Sequence, residues 1–267
     1  MTVAILVVPS VTKLPPEADG AVIVGGSHAA LYAAHVVAKA GARAAIHHDA
    51  GIGLEEAGVA GLALAQELGM AMAAVDSASA RIGEAEDMMR RGIVSRVNAL
   101  AAACGVAAGQ TCAEAAERLK AAPWPHRAPP ARAEGRSVFE AKAGRRKIVC
   151  IDSATLILPE DRDQVVATGS HGADASGQVV APVQPALVLY NDAGFGADRA
   201  GAAGLSILNN AGIAGATVAA LSAKIGDGRS TLTKGVLSAV NEAAYRLGGR
   251  VGGSALALAR LVAEKAV

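Results

Sequence analysis

The pentapeptide Asp49-Ala50-Gly51-Ile52-Gly53 returns as Asp192-Ala193-Gly194-Phe195-Gly196. The numbers differ by 192 − 49 = 143, and that offset holds on both sides of the motif. Gly26-Ser27-His28 matches Gly169-Ser170-His171, Ile82-Gly83 matches Ile225-Gly226, and Val97-Asn98 matches Val240-Asn241. From Ile5/Ile148 to Ala101/Ala244 the copies align without a gap, and about a third of positions are identical. A chain of this kind reads as an internal duplication of one folding pattern. The expected domains are 1–120, a Pro/Arg/Ala-rich linker over 121–145 holding Trp124, and 146–267.

Each copy alternates short apolar runs with helical patterns. Val3–Val8 is a Val-rich run without alternation, as in a strand buried on both faces. Ala21–Val24, Ala42–His48 and Met70–Val75 read as further strands. Ala29–Lys39 and Leu54–Leu68 read as helices, the second closed by Gly69. A longer helix is expected from the acidic run after Glu84 through Ile93 and Val97 to Leu100. Copy two begins at Lys147–Ser153 and ends in a helix over Ser254–Glu264. Gly172, Gly177, Pro182 and Pro185 predict an irregular loop or a broken helix where copy one has its first helix. The fold class is α/β, with two similar, Rossmann-like parallel-sheet halves related by pseudo-two-fold symmetry.

Composition narrows the core and the partners. Hydrophobic residues make up 52% of the chain and aromatics only 2%, so Ala, Val, Leu and Ile must fill the interior. A net charge of +1 gives no field for nucleic acid or an anionic membrane, and stacking platforms for bases are scarce. No apolar run of about 18 residues reads as a membrane span. Cys104, Cys112 and Cys150 form no even framework, which suits reduced thiols and a cytoplasmic setting. Small Ala/Gly/Leu helix faces are compatible with a homo-oligomer.

The repeated motifs all fall at expected carboxyl ends of strands, where open α/β sheets bind ligands. His171 is a candidate general base with Asp192 as its orienter, and Ser170 is a hydrogen-bond donor. His28 and Asp49 are their counterparts. Gly169, Gly194, Gly196 and Asn191 frame the substrate loops, with backbone N–H groups at a helix start as anion or oxyanion donors. Asp192 is also a natural helix cap. Lys224, Asp227, Arg229 and Ser230 form a loop suited to a carboxylate, whereas copy one carries Glu84, Glu86 and Asp87 there. His47-His48-Asp49 lacks the spaced ligand set of a zinc site, so no metal is expected, and no cofactor is required by the sequence. These features point to an enzyme acting on a small carboxylate-bearing metabolite, by hydrolysis of an amide or related acyl bond. A racemase or epimerase using His28 and His171 as opposed bases is the alternative, and a non-catalytic binder of a small ligand is a third.

Overall fold

The computed structural model describes residues 3–125 and 127–264. The chain divides into two compact units. Unit 1 comprises Met1–Ile52, Glu56–Ala133 and Gly196–Asp198, and unit 2 comprises Gly53–Glu55, Glu134–Phe195 and Arg199–Val267.

Unit 1 is built from β1 (Ile5–Val8), β2 (Val22–His28), α1 (Leu31–Lys39), β3 (Ala44–His48), α2 (Gly61–Leu68), β4 (Ala71–Val75), α3 (Ala85–Arg91), β5 (Val94–Val97), α4 (Ala99–Ala103) and α5 (Cys112–Leu119). The strands lie in the order β1-β2-β3-β4-β5. The first four are parallel and β5 is antiparallel. Side chains alternate across the sheet. Val22, Val24, Ala44 and Ile46 pack with α3, α4 and α5 on one face. Ile23, Ala45, Met70 and Met72 pack with α1 and α2 on the other. A sheet covered on both faces needs apolar residues at every position, which is why the strand sequences do not alternate.

Unit 2 repeats this order with one addition. Its elements are β6 (Arg136–Glu140), β7 (Ile148–Ile151), β8 (Val165–His171), α6 (Asp174–Val180), β9 (Leu187–Asn191), α7 (Gly204–Asn210), β10 (Ala214–Val218), α8 (Gly228–Lys234), β11 (Leu237–Val240), α9 (Glu242–Arg246) and α10 (Ala255–Ala263). The strand order is β11-β10-β9-β8-β7-β6, with β7 to β10 parallel and both outer strands antiparallel. Both units are therefore mixed α/β sheets. Among the described residues no helix is long and apolar enough to cross a membrane.

Three local expectations need correction, and a fourth is decided between its alternatives. The helix expected through Leu100 is broken: Gly92 ends α3 in extended backbone, and Val94–Val97 pairs with β4 as an edge strand. Its β-branched residues suit that surface. The helix expected from Leu54 starts only at Gly61, because Glu55 and Glu56 have φ of 53° and 55°. Of the loop or broken helix expected after Gly172, the structure shows the broken helix: α6 gives way to a 3-10 turn where Pro182 removes a backbone donor. Residues 136–140, expected within the linker, form a strand on β7.

The repeated asparagines are structural. Asn98 Oδ1 accepts from Met72 N–H at 3.0 Å and caps α4 through Ala101 N–H at 2.9 Å, while Nδ2 donates to Met70 O at 2.8 Å. Asn241 makes the same three bonds to Gly215, Ala244 and Ile213. One side chain thus ties an edge helix to the sheet. Replacing Asn98 by Ala removes a cap and strands two buried backbone groups, so it should cost at least about 2 kcal/mol. Urea unfolding tests this, and a loss below about 0.5 kcal/mol, typical of neutral surface changes, would refute it.

Candidate functional site

In each unit the repeated motifs lie at the carboxyl ends of the parallel strands. The bonds that hold them there are nearly identical. Asp49 is buried and its Oδ1 accepts from Gly51 N–H at 2.9 Å and Ser77 N–H at 3.0 Å. Asp192 is equally buried, and its Oδ1 accepts from Gly194 N–H at 2.8 Å and Ala220 N–H at 2.9 Å. Each carboxylate thereby joins the loop that follows its own strand to the loop that follows the next.

The residue before each aspartate serves the same loop. His48 Nδ1 accepts from Ala50 N–H at 3.0 Å, so its neutral ring carries the proton on Nε2, which lies 3.0 Å from Ala80 O. Asn191 reproduces both bonds with an amide: Oδ1 accepts from Ala193 N–H at 2.9 Å and Nδ2 donates to Ala223 O at 3.0 Å. Histidine and asparagine are interchangeable here because each offers one acceptor and one donor at similar reach. Asn191, expected among the substrate contacts, is fully buried in this role.

The glycine loop is not the anion cradle expected of it. No α-helix starts there, only the 3-10 turns Leu54–Glu56 and Ala197–Ala202, and most of its N–H groups already have partners. Ile52 and Phe195 donate to Asp49 O and Asp192 O. Within unit 2, Leu54 N–H donates to Ala220 O at 2.8 Å; within unit 1, Ala197 N–H donates to Ser77 O at 2.7 Å. Gly196 is packed so closely that a Cβ would lie 3.0 Å from Ser77 O, and its φ of 64° suits glycine.

The Gly-Ser-His motif is partly structural as well. Gly169 O accepts from Gly226 N–H at 2.7 Å, and a Cβ on Gly169 would stand 2.4 Å from Asp227 N. Ser170 Oγ accepts from Ala154 N–H at 2.8 Å, as Ser27 Oγ does from Val11 N–H. Asp227 caps α8 by accepting from Ser230 N–H at 2.8 Å, and Ser230 Oγ accepts from Lys224 N–H at 3.0 Å. Lys224 pairs with Glu55 in unit 2, and its counterpart Arg81 pairs with Asp198 in unit 1. Arg229 is exposed, lies over the Phe139 ring and has no carboxylate partner among the described residues.

The two histidines of the motif differ. His171 is half-buried, stands opposite Asn191 in the register of β8 and β9, and its Nδ1 accepts from Ala173 N–H at 3.4 Å. Asp192 follows Asn191 directly, so the two side chains come from neighbouring strand ends. His28 has a buried Nδ1 without a hydrogen-bond partner, and burial, helped by nearby His48, lowers its pKa to about 4. His47 is fully buried with both ring nitrogens unpartnered, and burial, then His28, lowers its pKa to about 3. Among the described residues no three His, Cys, Asp or Glu side chains come together to hold a metal ion.

No protein-family model matches this chain, and no curated protein or solved structure is significantly similar to it. The site must therefore be judged on its own chemistry.

One difference between the two units lies at the second carboxylate oxygen. In unit 1, Ser95 Oγ donates to Asp49 Oδ2 at 2.8 Å, so both carboxylate oxygens are engaged. In unit 2 the equivalent Ser238 hydrogen-bonds Thr217 Oγ1 at 3.0 Å instead. Thr217 stands where unit 1 has Ala74. Asp192 Oδ2 is left without a hydrogen-bond partner among the described residues. Sequence reasoning missed Thr217 and Ser238, although the Ala74/Thr217 mismatch was visible in the repeat. It also missed Glu134, whose carboxyl is pushed up to about 7 by burial and by nearby Asp152. Asp152 accepts from Gly135 N–H at 2.6 Å and Gly228 N–H at 3.2 Å, at the end of β7. Glu134 fell inside the presumed linker, where no periodicity marked it.

The buried histidines set an acid limit on unit 1. Both have folded pKa values below the free value of about 6.5. The unfolded chain therefore takes up protons first as pH falls. Their contribution is complete above about 6.5 and is lost as pH falls toward 4 for His28 and 3 for His47. Within that window each should lower the folding constant about tenfold per pH unit. Unfolding at pH 7, 6 and 5 tests this: His47→Leu should flatten the profile, and an unchanged slope would reject the assignment.

Proposed function

We propose that this chain is an internally duplicated, Rossmann-like enzyme whose working half is unit 2. It would act on a small carboxylate-bearing metabolite by hydrolysing an amide or related acyl bond, in the cytoplasm and without a required cofactor. The observation that carries this reading is Asp192. It is buried, held in place through Oδ1, and has Oδ2 unbonded among the described residues. A fixed carboxylate with one unbonded oxygen, at the strand end next to the one that carries His171, suits general acid–base catalysis.

The geometry favours different roles from those read in the sequence. His171 Nδ1 accepts a backbone N–H, so its neutral ring presents Nε2–H as a donor. Asp192 Oδ2 then takes a proton from water as the water oxygen bonds to the carbonyl carbon. His171 Nε2–H stabilises the oxygen that gains negative charge. Asp192 returns the proton to the leaving nitrogen as the C–N bond breaks. Arg229, without an ion-pair partner among the described residues, suits the substrate carboxylate better than Lys224, which is paired with Glu55. The racemase alternative is weakened by His28, since a base whose conjugate acid has a pKa of about 4 removes protons poorly at neutral pH.

The decisive comparison is between equivalent aspartates. In a screen of small carboxylate-bearing amides followed by amine release, Asp192→Asn should lower kcat by about 10²- to 10⁴-fold. Asp49→Asn should reduce stability but leave kcat intact, because both Asp49 oxygens serve the fold. Equal loss in both variants, or none in Asp192→Asn, would overturn the mechanism.

A further inference from the structure

A cavity of about 410 Å³ opens at the opposite, amino-terminal edge of the unit 2 sheet. It lies where β8, β9 and β10 begin, beside Asp163, Ala186 and Ile213. Its floor is apolar, from Ile213, Leu247 and Val262, and Arg146 and Arg162 line it together with Asp163. Exposed Arg162 brings guanidinium N–H donors to its rim. The volume and the mixture of an apolar floor with a few charged groups match small-molecule pockets.

The same place in unit 1 indicates what shape fits. Gly20 and Arg43 stand there at the positions equivalent to Asp163 and Ala186. Trp124 packs against them: a Cβ on Gly20 would lie 2.7 Å from the indole ring, and the Arg43 guanidinium is 5.2 Å from the ring centroid. Arg43 is itself fixed by donating to Ala122 O at 2.7 Å. Unit 1 thus fills this position with a flat aromatic ring against a guanidinium. In unit 2 the ring-stacking arginine is replaced by Ala186, which widens the space, and guanidinium groups enter at Arg146 and Arg162, where unit 1 has Val3 and Asp19.

We propose that this cleft is a second binding site, for a small planar aromatic carboxylate. The ring takes the place that Trp124 takes in unit 1, and the carboxylate meets the guanidinium groups, whose paired N–H donors match its two oxygens. Ring burial supplies area and the charge supplies selectivity. The site lies at the other edge of the sheet from Asp192 and His171, so it does not depend on the hydrolytic reading.

The probe is 1-naphthoate, with neutral 1-naphthamide as its control, titrated into the full chain and followed by methyl NMR. Saturable shifts at Ile213, Leu247 and Val262 are expected, with 1-naphthamide binding about tenfold more weakly. Arg162→Ala should weaken 1-naphthoate by about tenfold without altering the melting temperature, since Arg162 is exposed. Ala186→Arg, which restores the guanidinium on which the ring stacks in unit 1, should tighten 1-naphthoate binding by about three- to fivefold. Absence of saturable shifts at these methyls would overturn the proposal, as would equal binding of the amide, or binding indifferent to both substitutions.

Discussion

The carboxylate at the end of the third parallel strand in each unit is the interaction on which the surrounding architecture rests. One oxygen of Asp49 or Asp192 gathers backbone N–H groups from two loops that the sequence places 26 residues apart, Gly51 with Ser77 and Gly194 with Ala220. The preceding His48 or Asn191 ties the same two loops through its own side-chain bonds. A buried carboxylate is costly unless donors surround it, and the donors are equally costly unless an acceptor meets them. Each therefore requires the other, and the loop conformations, including the positive φ of Ala50, Ile52, Ala193 and Phe195, follow from that requirement.

Much of this was legible in the sequence. The repeat offset located every motif at the carboxyl edge of a sheet, and unbroken Val- and Ala-rich runs marked strands covered on both faces. Gly69 closes its helix with φ of 79° as its position suggested. What the sequence concealed were choices made by tertiary contacts. Val94 to Val97 carries apolar spacing that fits a helix as well as an edge strand, and only the open edge of β4 decides between them. Leu54 and Glu55 look helical by residue type. Their backbone is instead set by the bond from Leu54 N–H to Ala220 O, with a partner 166 positions away in the chain.

The site illustrates a sharper limit. Preservation of the same motif in two copies drew attention to His28, Asp49 and their counterparts, yet most of what is preserved is a hydrogen-bonding scheme. His48 and Asn191 share no chemistry beyond one donor and one acceptor, and the loops use only that. At the second aspartate oxygen the two units differ by a single hydroxyl: Ser238 bonds Thr217, whereas Ser95 bonds Asp49, so among the described residues Asp192 lacks the third bond that Asp49 receives.

Scarcity of aromatic residues has a practical outcome. The chain has one tryptophan, Trp124, and it packs against Gly20 and Arg43 within unit 1. Indole emission will therefore follow the melting of unit 1 alone, while far-ultraviolet dichroism averages over both. Two probes that agree would mean the units unfold together. Two that separate would give the stability of each half from an unmodified chain, without cutting it or adding a label.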